Sequence, residues 1–323
     1  MAPAAATLYG RVVTAQRSGT WFGVVAYTLW GIFPLYFTLL EPTTPSEILA
    51  NRIIWSLVVC LAVLLLVRGL PRLLRLTRRQ AVLLALAGVV LSINWLTFVY
   101  AVTTNQVVEA SLGYFINPLV TVALGIVVLR ERLNSWQIAA LAIATVAVVI
   151  LTANYGRIPW IALTLTLSFA SYGLLKKKAG VPALESLTFE TLVLFLPAVG
   201  YQVWLYTNGT ATLTDNGFEH TLLLIGLGVI TAIPLFFFGA AAVRIPLTSL
   251  GVLQYITPVL QFLIGVVLLS ESMPAVRWIG FGLVWIALVI FTVDMIRRSR
   301  TLSPVSSTPM SADKSRTTTP SGG

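Results

Sequence analysis

The chain alternates long apolar blocks with short breaks rich in Arg, Lys, Pro, Gly, Asn and Thr. A helix needs ~20 mostly apolar residues to cross the hydrocarbon layer of a bilayer. Ten blocks of suitable length lie at 19–40, 47–67, 80–102, 107–129, 134–153, 158–175, 184–206, 220–243, 247–269 and 276–296. The pattern predicts an all-α polytopic membrane protein with ten transmembrane helices. Composition agrees: 57% of residues are hydrophobic and only 10% charged, and the mean hydropathy is +0.90. A water-soluble domain of this size could not cover so much apolar surface.

Charge shows how the blocks are threaded. Arg11, Arg17, Arg68, Arg72, Arg75, Arg78, Arg79, Arg130, Arg132, Lys176, Lys177, Lys178 and Arg244 all fall on one side, with Arg297, Arg298, Arg300, Lys314 and Arg316 after the last block. Only Arg157 and Arg277 fall on the other, and Arg52 lies within a block. Short loops rich in Lys and Arg stay in the cytoplasm, so both termini are expected there. A nine- or eleven-block division would scramble this segregation. The net charge of +10 is therefore read as topology, with membrane lipids rather than nucleic acid as surroundings.

The expected organisation is a cytoplasmic segment at 1–18, a first five-helix repeat at 19–153, a second at 154–296 and a cytoplasmic tail at 297–323. The tail is basic at first and then rich in Ser, Thr and Pro, which predicts disorder. Met1 to Gly10 lack a charged start and a compact apolar core, so no removed signal peptide is expected. Cys60 is the only cysteine and His220 the only histidine, so neither a disulfide, a metal site nor a Ser-His catalytic pair is expected. The chain carries no G-x-x-x-x-G-K-[ST] phosphate loop and no G-x-S-x-G elbow, so neither an ATP motor nor serine hydrolysis is expected.

Two segments match at a constant offset of 140 residues: Pro118, Gly125 and Glu131 recur as Pro258, Gly265 and Glu271. Five blocks lie on each side of Asn154, and an odd number per half turns the second half upside down. Inverted repeats of this kind place a transport site near the midplane, where the halves meet. Tyr114, Asn117 and Thr121 share a helical face, and Gln254, Thr257 and Gln261 repeat that spacing. These stripes are readable as walls of a wet cavity or as hydrogen bonds between helices, which are typically worth ~0.6 kcal/mol in a membrane.

Arg52 and Glu190 are the charges set furthest into blocks. Ions inside a membrane are costly and by default functional. Depth counting leaves roughly 12 Å between them, so they are expected at opposite mouths of a path rather than in a salt bridge. The bland reading of Arg52 is snorkelling to the nearer interface. Glu109 could bind a proton or favour a helix start through the dipole.

These residues also carry a resemblance. Glu47-Ile-Leu-Ala-Asn-Arg52-Ile-Ile-Trp55-Ser56, Asn94-Trp95 and the run Glu109-Ala-Ser-Leu-Gly-Tyr-Phe-Ile-Asn-Pro-Leu119 are followed by Ser168-Phe169, Tyr172-Gly173, Glu190-Thr191, Thr231-Ala232-Ile-Pro234 and Gly251-Val-Leu-Gln254-Tyr255-Ile-Thr-Pro258. Over about 19–296 the chain resembles the RarD branch of the EamA-type permeases, in the drug/metabolite transporter superfamily. The run around Tyr114 is its most specific part. The resemblance implies a ten-helix inverted-repeat permease or exporter, from a group whose name is tied to chloramphenicol. Relatives often carry histidine where this chain has Asn51 and Asn105 or Gln106, so histidine-mediated proton coupling is not implied here.

The expected function is secondary transport, without catalytic residues or cofactors, of a small organic metabolite or drug across the plasma membrane by alternating access. An amphenicol or an amino-acid-like solute is the expected kind of substrate, and a proton or another ion the candidate coupling partner. Asn94, Trp95, Tyr114, Asn117, Gln254, Tyr255, Thr257 and Gln261 are expected along the substrate pathway. Arg52 and Glu190 are expected as charged gates or coupling groups, and Pro118 and Pro258 as helix breaks. A lipid or lipid-linked sugar flippase is the competing reading, and an intramembrane enzyme a more distant one.

Overall fold

Short polar signals set where the helices begin. Thr44 precedes Pro45, and its hydroxyl accepts the Glu47 N–H, while proline supplies the first helical position at no hydrogen-bond cost. Thr77 and Gln80 form a reciprocal capping box ahead of the next long helix. The structure, a computed structural model, describes residues 18–129, 135–155, 158–242, 244 and 253–301.

Among the described residues, the longer helices follow in order: α1 (Ser18–Thr38), α2 (Pro45–Leu66), α3 (Arg78–Thr103), α4 (Val107–Leu129), α5 (Ser135–Tyr155), α6 (Trp160–Ala179), α7 (Ala183–Thr207), α8 (Gly217–Ala242), α9 (Ile256–Leu268) and α10 (Ala275–Thr301). A short helix, Leu70–Leu74, lies between α2 and α3. No strand occurs among the described residues. Six of these helices, α1, α2, α3, α7, α8 and α10, contain stretches long and apolar enough to cross a bilayer. The chain is a multi-pass membrane protein. Its outward faces carry Leu66, Leu196, Val149 and Val289, all exposed, as lipid contact requires.

The helices pack in a consistent set of pairs. α2 lies against both α7 and α8, α3 against α6 and α7, α4 against α6 and α9, and α5 against α10. Side chains fix the sense of the α2–α7 pair. Glu47 at the start of α2 meets Gln202 near the end of α7, whereas Arg72, beyond α2, reaches Glu185 at the start of α7 (3.5 Å). The two helices therefore run antiparallel.

Several glycines allow close approaches between helices, Gly88 and Gly228 among them. A Cβ on Gly88 of α3 would stand 3.1 Å from the Glu190 carbonyl oxygen of α7, and one on Gly228 of α8 would collide with the Trp55 backbone of α2.

Two expectations are corrected. Pro258 falls in the first turn of the α9 helix, where the backbone N–H has no intrahelical partner anyway, so it breaks nothing. α4 runs without interruption through Pro118, whose side chain lies outside the described residues, as does that of Thr121. The irregularity of α9 is instead a π-helical turn at Ile264–Leu268, around Gly265. The start of the expected ninth span (247–252), Glu131, the segment at 1–17 and residues 302–323 of the tail also lie outside the described residues.

Gly228→Val should lower the thermal stability of the purified protein by about 1–3 kcal/mol, the usual cost of forcing atoms into a packed contact, because the opposing atoms are backbone. Gly200→Ala, which meets nothing within 4 Å, should leave melting unchanged or raise it slightly. Equal melting of the two variants would contradict this packing.

Candidate functional site

Arg52 sits two turns into α2 and is 4% exposed, so it does not snorkel. Its Nε donates to Thr231 Oγ1 of α8 (3.1 Å), and Nη1 has no partner. No carboxylate among the described residues lies within ion-pair distance. The guanidinium instead lies over the Trp95 ring at 4.1 Å, with Phe33 and Phe37 at 5.7 and 5.8 Å. A desolvated cation–π contact contributes about 2 kcal/mol, whereas burying an ion costs several. The rings hold the arginine in place but do not neutralise it.

Glu190, two turns into the antiparallel α7, is almost fully buried and fully partnered. Lys176 Nζ donates to Oε1 (2.8 Å), Ser186 Oγ donates to the same oxygen (2.6 Å), and Tyr172 Oη donates to Oε2 (3.2 Å). Lys176 also donates to Ser186. Arg52 and Glu190 therefore do not pair with each other. One charge has a partner and the other has none.

A file of rings connects the two. Phe33 packs on Phe37 (5.9 Å between centroids), Phe37 on Phe98 (5.9 Å) and Phe98 on Tyr114 (5.8 Å). Tyr114 in turn packs on Phe169 (6.4 Å), and Phe169 on Tyr172 (6.1 Å). The first rings touch Arg52 and the last touches Glu190. Helical spacing makes this file: 33 and 37 are four apart and 169 and 172 three apart, so each pair shares a face. Centroid separations of 4.5–7 Å with mostly steep tilts suit edge-to-face contact.

Asn94 stands beside the middle of the file. Its Nδ2 donates to the Leu165 carbonyl and Ser168 Oγ (both 2.9 Å), and its Oδ1 accepts from Tyr114 Oη (3.4 Å). Trp95 lies beneath Arg52. Asn117 is buried, and its Oδ1 has no partner.

The α9 stripe has a different use. Thr257 donates to the Tyr27 carbonyl (2.8 Å) and Gln261 to the Trp30 carbonyl (3.3 Å), both on α1. Trp30 would normally bond to the N–H four residues on, but that residue is Pro34. Gln261 takes the freed carbonyl. These two side chains thus tie helices together. Gln254 lies half-buried in the turn before α9, and Tyr255 packs with the α4–α10 cluster and bonds to Thr292, away from the file.

Further polar residues tie the segments together, and the parts played by Glu47 and Lys176 were missed from sequence. Glu47 is fully buried and accepts from Thr212 N (2.8 Å), Thr212 Oγ1 (3.0 Å) and Gln202 Nε2 (3.2 Å), while Thr212 and His220 both bond to Thr43. Glu271 accepts from both Val107 N (2.5 Å) and Val108 N (3.0 Å), capping α4. Burial raises its carboxyl above the ordinary range, against the pull of those two N–H groups. Glu109 reaches the start of α6, accepting from Ile161 N (3.1 Å). A cavity of about 360 Å³ opens between Glu109, Glu271 and Arg277, and a second of about 780 Å³ lies beside Thr43, Leu96 and Trp160. Lys176 was counted only as a topology charge. The signals for it were Tyr172 and Ser186, each four residues from a member of the pair.

Residues 17–153 match the model of the EamA-like transporter family. A relative named Protein RarD, from Streptomyces exfoliatus, is 53% identical over 287 residues, covering 88% of this chain and 91% of that one. An uncharacterized transporter YojE from Bacillus subtilis is 40% identical over 289 residues, covering 88% and 96%. One solved crystal structure superposes with a TM-score of 0.59 over 87% of this chain and 99% of that one, at 20% identity, a likeness of fold alone.

Removing one partner of a buried ion pair usually costs about 3–5 kcal/mol, because the other charge is left alone. Lys176→Met should therefore destabilise the protein strongly, since the Glu190 side chain is 1% exposed. The double variant Lys176→Met, Glu190→Gln should recover most of the loss in thermal melting. Additive losses would show that the two groups act independently.

Proposed function

The chain belongs to the EamA-like transporter family, in its RarD branch, and from that premise we propose that the ring file between Arg52 and Glu190 is its substrate pathway. The family makes it a membrane transporter of the drug/metabolite superfamily, in the plasma membrane. The proposed cargo is a small organic metabolite or drug with an apolar body, moved by alternating access of two inverted five-helix halves. The observation that carries this is the unbroken aromatic file, which joins two buried charges at opposite ends of an antiparallel helix pair.

Other features support the inverted repeat. The contacts α2–α7, α4–α9 and α5–α10 each pair a helix with its counterpart in the other half, and α2–α8 mirrors α3–α7. Gly88 and Gly228, each facing the backbone of a neighbouring helix, are 140 residues apart, the offset of the sequence repeat. The family model spans 17–153, close to the extent of the first half. In this reading the chain crosses the bilayer ten times with both termini in the cytoplasm, so the ring file runs from an external mouth at Arg52 to a cytoplasmic mouth at Glu190. A proton or another ion remains the candidate driver, with Glu190 and Lys176 in place to exchange one.

Proteoliposome uptake of amino acids, nucleosides and amphenicols, with and without a pH gradient, tests the reading. Saturable flux of at least one class is expected. Tyr114→Phe and Asn94→Ala should cut it roughly tenfold, since positioning groups of this kind are worth ~1.4 kcal/mol or more. Uptake equal to that of empty vesicles across the panel would defeat the proposal. In a Cys60→Ser background, Asn208→Cys and Arg72→Cys should be labelled from opposite faces of the membrane. Labelling from the same face would remove the proposed threading.

A further inference from the structure

Three hydrogen-bond donors on α2 are sealed from solvent and have no partner: Arg52 Nη1, Trp55 Nε1 and Ser56 Oγ. Residues 55 and 56 lie three and four positions beyond 52, so the three side chains share one helical face. One open acceptor, Asn51 Oδ1, accompanies them on the same two turns. Orphaned buried polar atoms are uncommon, and each costs free energy unless something completes it. A run in which donors predominate, one of them cationic, lacks an acceptor that carries negative charge.

We propose that Arg52, Trp55 and Ser56 form an anion-recognition site that takes the carboxylate of an amphipathic substrate. The inference rests on the transport reading above and names the substrate class of that pathway. The planar guanidinium offers a fork that matches a carboxylate with two parallel hydrogen bonds, and its Nε is already fixed by Thr231. The surroundings choose the charge. Arg52 is enclosed by Trp95, Phe33 and Phe37, and the other base of the pathway, the half-buried Lys176, is committed to Glu190. One cation in an apolar box is neutralised by a single negative charge. A phosphate monoester, with nearly two, would leave an excess charge buried. The apolar body of the substrate would lie along the rings that begin at Phe33 and Phe37. A neutral solute of the same shape leaves Arg52 unpaired and is a poor fit.

The test is binding to the purified full-length protein in detergent, by calorimetric titration with phenylacetate, phenylacetamide, phenyl phosphate and chloramphenicol. Phenylacetate should bind at least tenfold more tightly than phenylacetamide, and also more tightly than phenyl phosphate and neutral chloramphenicol. Arg52→Gln should abolish the preference for acid over amide. Trp55→Phe and Ser56→Ala should each weaken the acid about threefold and leave the amide unchanged. Should Arg52→Gln not fold, Arg52→Lys decides: it keeps the charge without the fork and should reduce the preference severalfold. The proposal is overturned if acid and amide bind equally, if Arg52→Gln or Arg52→Lys keeps the full preference, if phenyl phosphate binds more tightly than the acid, or if no compound saturates. Binding is read without flux, so the two readings fail separately. Acid binding with no uptake in proteoliposomes would sink the transport pathway and leave the anion site, and saturable flux without acid preference would do the reverse.

Discussion

A polar group inside a lipid layer has no water to fall back on, so it must find its partner within the protein. Most of the tertiary contacts described above answer that demand. Pro34 takes away the donor that the Trp30 carbonyl would have used, and Gln261 of α9 supplies another. The first N–H groups of α4 have no intrahelical acceptor, and Glu271 accepts two of them at once. Glu109 does the same for the start of α6, and Asn94 takes the Leu165 carbonyl within it. The bonds of Gln261, Glu109 and Asn94 each join two helices, and those of Glu271 tie α4 to the segment between α9 and α10. The hydrophobic effect gives little drive for helices to associate within lipid, so such bonds and close glycine contacts carry much of the specificity of packing.

The same demand makes the exceptions informative. Glu190 sits in a satisfied cluster, with Lys176, Ser186 and Tyr172 arranged around its two oxygens. Arg52 occupies the corresponding depth in α2, in the same low-dielectric setting, and has one hydrogen bond and three ring faces. Rings attract a cation through their quadrupoles but carry no net charge, so the field of the guanidinium remains uncompensated. A fold free to choose would place an apolar residue there at lower cost. That cost is what the anion proposed above would offset.

The helices were legible in the sequence because lipid imposes one period and one length on every crossing. The expected block 107–129 coincides with α4, and most other ends agree within three residues. Glu190 pairs with Lys176 rather than with Arg52. Partner choice was much less legible. Thr257 and Gln261 look like a cavity wall by spacing, yet the proline that redirects Gln261 to Trp30 lies 227 residues earlier, in α1. Lys176 reads as one of three loop lysines until the turn from α6 into α7 folds it back on Glu190. Proline was over-read for a related reason. Its effect depends on its place in the helix, and Pro258 falls where no hydrogen bond is lost.

Any opening of the ring file has to respect these ties, because a bond broken inside lipid is not replaced unless water follows. α1 and α9 are held by Thr257 and Gln261, and the π-helical turn of α9 leads directly to Glu271, which holds α4. The carboxylate of Glu47 likewise joins α2, the end of α7 and the segment before α8 through Gln202 and Thr212. The contacts of the file itself are mostly ring against ring. Aromatic faces lose dispersion when they part but strand no donor or acceptor, and an apolar substrate body can restore that contact. The file is thus a seam along which the bundle can separate at low polar cost, with Arg52 and Glu190 at its two ends.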